Sequence, residues 1–145
     1  MLLKDFFAHA NWMAIIVAAL VYFLLGAIWF SALFGKIWAA EHKIEMPTTP
    51  EGKSQMKKMM PMMMIKTLIM NILMAIVIGM FVMALGSVKC MAGMKLGLAL
   101  SAVAVIPMVM GHMYTMKSLK LCFIDASYHI ISITLMAIII AVWHH

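Results

Sequence analysis

Four long apolar stretches separated by polar breaks make up most of this chain. They cover about residues 11–34, 62–85, 95–114 and 121–143. Each is near the roughly 20 residues that a helix needs to cross the hydrocarbon of a bilayer. The first carries no Lys, Arg, Asp or Glu, and the second has only Lys66, near its start. The breaks at 86–94 and 115–120 are short, which makes the helices flanking each break antiparallel neighbours. The break at 35–61 is longer and polar, punctuated by Pro47, Pro50 and Gly52, and reads as a loop. The pattern predicts an all-α integral membrane protein with one domain over 1–145, a four-helix bundle of antiparallel up-down hairpins. Pro107 falls inside the third stretch and is expected to kink that helix, freeing a carbonyl one turn earlier. Small residues recur four apart: Gly93, Gly97 and Ser101, then Ala14 and Ala18, then Ala75 and Gly79. That spacing allows close helix approach, within the bundle or between copies.

Polar residues inside the stretches are few. Asp125, Tyr128, His129 and Ser132 follow the i, i+3, i+4, i+7 spacing that forms one stripe along a helix. A charged side chain at the centre of a membrane helix costs about 2.5–3.5 kcal/mol on insertion scales, so it turns toward a partner or a cavity. With the fourth helix starting near Leu121, Asp125 lies roughly 6 Å deep and His129 roughly 12 Å deep, at 1.5 Å per residue. The hairpins put His112 at shallow depth in the same leaflet and Asn71 about as deep as His129. Trp29 and Ser31, near the end of the first helix, match that depth. Trp29, Ser31, Asn71, His112, Asp125, Tyr128 and His129 are therefore expected to form one intramembrane polar layer. It reads either as a hydrogen-bonded network that fixes helix packing or as the lining of a cavity for a proton, ion or small solute. Asp125 could pair with Lys66 or reach toward Lys120 and the headgroups.

Composition agrees: 66% of residues are hydrophobic and 11% charged. A soluble domain is nearer 45–50% apolar and about 25% charged. The net charge of +6 comes from lysine alone, with no arginine in the chain. Such a balance orients a membrane protein and argues against nucleic-acid binding, since the bidentate phosphate clamp of arginine is missing. Lys36, Lys43, Lys53, Lys57, Lys58, Lys117 and Lys120 lie in the first and third breaks, against Lys4, Lys89 and Lys95 on the other side. The bias places the first and third breaks in the cytoplasm and both termini outside. Trp12, Trp38 and Trp143 read as anchors near the membrane surfaces. The first stretch is too long for the apolar core of a signal peptide and reads as retained.

Soft ligands are plentiful, with 20 methionines. Met59/Met63, Met60/Met64 and Met70/Met74 have i, i+4 spacing, and Met108, His112 and Met116 share a helical face. Thioethers suit Cu(I), so copper handling is one reading, with His112, His129, Asp125, Met108 and Met116 as candidate ligands. The other is that methionine serves as flexible apolar filler. No other cofactor is expected. Cys90 and Cys122 should lie near opposite membrane faces, too far apart for a disulfide. The terminal His144-His145 pair is an isolated and weak metal signal. No phosphate-binding Gly-rich loop, serine elbow, zinc-protease motif or dinucleotide fingerprint occurs. Asp125 is the only one of five carboxylates inside an apolar stretch, so paired acid–base chemistry has few candidates; an enzyme is open only at the Asp125/His129 layer, and no catalytic residue is assigned.

Several runs carry a family resemblance: Asn11-Trp12, Gly26-Ala27-Ile28-Trp29-Phe30-Ser31, Leu33-Phe34-Gly35-Lys36 with Trp38, and Leu119-Lys120-Leu121-Cys122-Phe123-Ile124-Asp125-Ala126-Ser127-Tyr128-His129. Together they resemble small prokaryotic membrane proteins grouped as domain of unknown function 1761. The middle of the chain matches only in hydropathy. Members usually show Trp-Tyr-Ser where this chain has Trp29-Phe30-Ser31, and often Asn in place of Asp125. The resemblance implies a four-span helical protein of a prokaryotic cytoplasmic membrane and no particular activity. The expected role is a non-catalytic membrane subunit or oligomeric scaffold, embedded in the lipid bilayer as a homo-oligomer or an accessory subunit of a larger complex. The alternatives are transport through the polar layer and copper handling. Orientation is checked by a reporter fused to the C-terminus: an extracytoplasmic signal is expected, and a cytoplasmic one reverses the topology.

Overall fold

Each apolar stretch forms a helix, and side-chain caps set where most of them begin. The computed structural model describes residues 2–43, 45, 47–86 and 89–143; the His144-His145 pair lies outside them. The elements are α1 (Leu2–His9), α2 (Trp12–Ile28, continued by a π-helical turn over Trp29–Leu33), α3 (Gly35–Glu41), α4 (Pro50–Ala84), α5 (Cys90–Tyr114) and α6 (Leu119–Val142). Four are long and apolar enough to cross a membrane: α2 with its π-helical turn, α4, α5 and α6. Asn11 caps α2 by accepting from the Ala14 amide at 3.2 Å. Thr49 and Ser118 do the same for α4 and α6, each at 3.2 Å. Such caps satisfy amides that have no partner within the helix.

The 35–61 segment departs from the loop expected of it. Residues 35–41 form α3, and 50–61 are the first turns of α4. Thr49 followed by Pro50 starts the helix well, because proline at the first position gives up only an amide that would be unpaired anyway. The helix then runs through Pro61, carried by residues that favour helix, mainly Met, Lys and Gln. At 35 residues α4 is about 52 Å long against a hydrocarbon core of about 30 Å, so it projects beyond the membrane. α5 starts at Cys90, five residues before the expected 95, and is continuous through Pro107. Its end is a tight reversal: Met116 adopts φ +51°, while the Met116 and Lys117 amides donate to the Met113 and His112 carbonyls.

α6 is the central helix and packs against α2, α4 and α5, whereas α5 packs almost entirely on α6. The small-residue stripe of α5 is spent on that contact. A Cβ at Gly97 would sit 2.6 Å from the Thr134 Cα, and one at Gly93 would sit 2.7 Å from the Ala141 Cβ. On the other side of α6, Ala18 and Ala19 of α2 and Ala75, Ile78 and Val82 of α4 share a closed core, with Ala14 buried on the same face of α2. α1 folds back over this end and buries Phe6 beside Gly79 and Ile15. Asn11 Nδ2 donates to the Trp143 carbonyl at 2.6 Å, joining the start of the first span to the end of the last, as an up-down bundle requires. We call this the closed end and the opposite one, which holds the starts of α4 and α6, the lysine-rich end.

Gly97→Val should overpack the α5–α6 seam and cost about 1–3 kcal/mol. Gly111→Ala, where nothing lies within 4 Å of an added Cβ, should stay within about 0.5 kcal/mol of the parent. Reversible unfolding in mixed micelles reads both, and equal effects would remove the glycine seam as the cause of close packing.

Candidate functional site: an intramembrane cleft

The core face of α4 changes its role partway along the helix. Val82, Ile78 and Ala75 are buried in the closed end, and Asn71 follows on the same face at 5% exposure. Continuing at helical spacing, Thr67, Met64 and Met60 no longer meet a neighbour but wall a cleft of about 1050 Å³. The facing wall is the end of α2, including Gly26, Ala27 and Phe30, and the floor is α6 at Tyr128, His129 and Ile133. Most of the lining is apolar.

Aromatic packing and three hydrogen bonds build the floor. Tyr22 and His129 meet through the phenol oxygen and Nδ1 at 2.8 Å. The Tyr128 hydroxyl donates to the Tyr22 carbonyl at 3.2 Å, and Trp29 Nε1 donates to the Ile124 carbonyl at 3.2 Å. The Tyr128 ring meets Tyr22 and Phe30 edge-on, with centroids 5.3 Å and 4.9 Å away. The π-helical turn helps: Phe34 donates five residues back to the Trp29 carbonyl, widening the helix where Trp29 and Phe30 both approach Tyr128. Gly26 makes room for the phenol, because a Cβ there would lie 2.6 Å from the Tyr128 hydroxyl.

The expected polar layer divides in two. Asn71, Tyr128 and His129 share the cleft, with Ser31 on its wall and Trp29 against Tyr128. The Ser31 hydroxyl bonds its own helix at the Ala27 carbonyl. His112 and Asp125 instead pair with each other, Nε2 to Oδ2 at 3.5 Å, and do not line the cleft. Lys66 is exposed and makes no ion pair among the described residues, so the Asp125 partner is His112 and not Lys66. Among the described residues no group of three or more His, Cys, Asp or Glu converges to hold a metal, so His112, Asp125 and His129 do not form one site. Met116 is 92% exposed and in a left-handed conformation beyond the end of α5, which breaks the Met108–His112–Met116 stripe. Tyr22 is the residue sequence reasoning missed. It lies four residues after Ala18, on the face that buries Ala14 and Ala18, and that spacing was the available signal.

Fold and site together define a four-span helical membrane protein with an apolar cleft set sideways into one half of the bundle and floored by tyrosine, histidine and asparagine. The chain belongs to the family described as "Protein of unknown function (DUF1761)", which matches residues 13–141. No curated protein and no solved structure matches the chain significantly.

A double-mutant cycle of Tyr22→Phe and His129→Phe should return a coupling of about 0.6 kcal/mol, the usual worth of a side-chain hydrogen bond between membrane helices. Unfolding in mixed micelles measures it. Strict additivity would mean that the two residues touch without tying α2 to α6.

Proposed function

We propose that this protein is a non-catalytic membrane subunit whose task is binding: it receives a small, mostly apolar solute in the cleft between α2 and α4. The observation that carries this reading is the cleft itself, about 1050 Å³, apolar along its walls and polar at its floor. Binding sites for small molecules are concave, of about 300–1,000 Å³, apolar for most of their surface and marked by a few placed polar groups. The lysine bias supports an inner-leaflet position, with solute arriving from the cytoplasmic side of the bilayer.

A further feature favours binding over conduction through one chain. The closed end is filled by aliphatic side chains and by Phe6, so the cleft is blind. Movement across the membrane would need a second state or a second copy, as small transporters generally do. The Tyr22–His129 and Tyr128–Tyr22 hydrogen bonds, which join α2 to α6, support a packing role for this part of the polar layer beside the binding role.

Native mass spectrometry from mild detergent tests the reading. The wild type should carry a discrete small-molecule mass. Ala27→Trp, which fills the cleft from an exposed position, should lose it with helix content unchanged. No bound mass on the wild type, or one retained equally by the tryptophan variant, removes the proposal.

A further inference from the structure

The polar groups of the cleft are unequally occupied, and the difference points to the chemistry of the occupant. The hydroxyls on its walls are engaged: Thr67 donates to the Met63 carbonyl at 2.9 Å, and Ser31 donates to the Ala27 carbonyl. Asn71 is not. Its Nδ2 is buried with no hydrogen-bond partner, on a residue that lines the cleft. A buried amide left unpaired is costly, so a partner from outside the chain is favoured. His129 lies beside Asn71 on the cleft floor; its Nδ1 meets the Tyr22 phenol oxygen at 2.8 Å, and its Nε2 has no partner among the described residues. Asn71 Nδ2 is therefore the buried donor of the cleft that the chain itself leaves unpaired.

Around them the surface is apolar, aromatic and thioether: Phe30, Tyr128, Met64 and Met74 on facing walls. Flat conjugated rings pack well against aromatic faces, and methionine adapts to their shape. We infer that the cleft binds a membrane-soluble amphiphile that presents a carbonyl to Asn71 Nδ2, with its apolar tail leaving between α2 and α4 into the bilayer. This rests on the binding function proposed above and names its ligand class. A carbonyl on an apolar tail can come from two sources, a tailed quinone or the ester of a bilayer lipid.

The test uses the full chain in nanodiscs of ether-linked lipid, which offer no competing carbonyl. Decyl-benzoquinone and decylbenzene, alike in tail and ring but differing in the carbonyls, are titrated separately, and the thermal unfolding midpoint reads binding. The quinone should bind about tenfold or more tightly than decylbenzene. Asn71→Leu keeps the volume and removes the donor, so it should bring the two ligands together while still binding decylbenzene. Equal affinity of both ligands for the wild type, or a quinone advantage that survives Asn71→Leu, overturns the carbonyl assignment and leaves the cleft as a binding site. Failure of both ligands to bind any variant removes the binding function itself. Repeating the titration in ester-linked nanodiscs separates the sources: an unchanged quinone affinity identifies the quinone, and a weakened one identifies the lipid ester as the competitor.

Discussion

Side-chain type along the helices decides where this bundle closes and where it opens. Between lipid-embedded helices there is little hydrophobic driving force, so association depends on van der Waals contact and on how closely backbones approach. At the closed end the buried residues are aliphatic apart from Phe6: Ala14, Ala18, Ala19, Ala75, Ala137 and Ala141 let the backbones approach, and Ile15, Ile78, Val82, Met136 and Ile140 fill between them. At the lysine-rich end the same faces carry Tyr22, Trp29, Phe30 and Tyr128, which pack on one another and hold α2 against α6. α4 has no counterpart to them. Below Asn71 its inner face is Thr67, Met64 and Met60, too far from α6 to make contact, and the gap is the cleft. One change, from aliphatic to aromatic along α2 and α6, thus accounts for both the seal and the opening.

The same change explains why the polar residues are not one layer. α5 reaches α6 through glycine, and at the lysine-rich end that approach brings His112 to Asp125. The approach sets an imidazole beside a carboxylate that is costly in lipid when it has no partner, and it does so away from the cleft. α2 reaches α6 through aromatic rings, and there Tyr22 takes His129. The two clusters lie one helical turn apart on α6 and have different partners, so one reads as structure and the other as the floor of a site.

Much of the architecture was legible in the chain. Four apolar stretches with short breaks give four antiparallel helices, and glycines four apart give a tight seam. Sequence alone could not say whether that seam served the chain or a second copy; the fit of Gly93 and Gly97 on Ala141 and Thr134 answers it. The amino-terminal part of α4 was missed because Pro61 looks like a boundary, yet Thr49-Pro50 was a good start signal and proline costs less where nothing packs against the helix. Met116 gave no warning, since a left-handed residue at a helix end is normally glycine. The depth of Asn71 and His129 was readable from helix rise. That Asn71 would lack a partner was not, because it depends on α4 standing apart from α6.

A blind cleft constrains what the protein can do with an occupant. Release toward the closed end would require separating α2 from α4 where Ala18, Ala75 and Ile78 are buried in the core. Release the way it came requires only that the unpacked part of α4 swing, and its methionines leave no interlocked surface to break. The lower barrier therefore faces the lysine-rich leaflet on both arrival and departure. Under the proposed function, such a cleft would exchange its occupant with one leaflet and present it beside α4, which suits a subunit that holds or hands over a molecule within the membrane better than a pore.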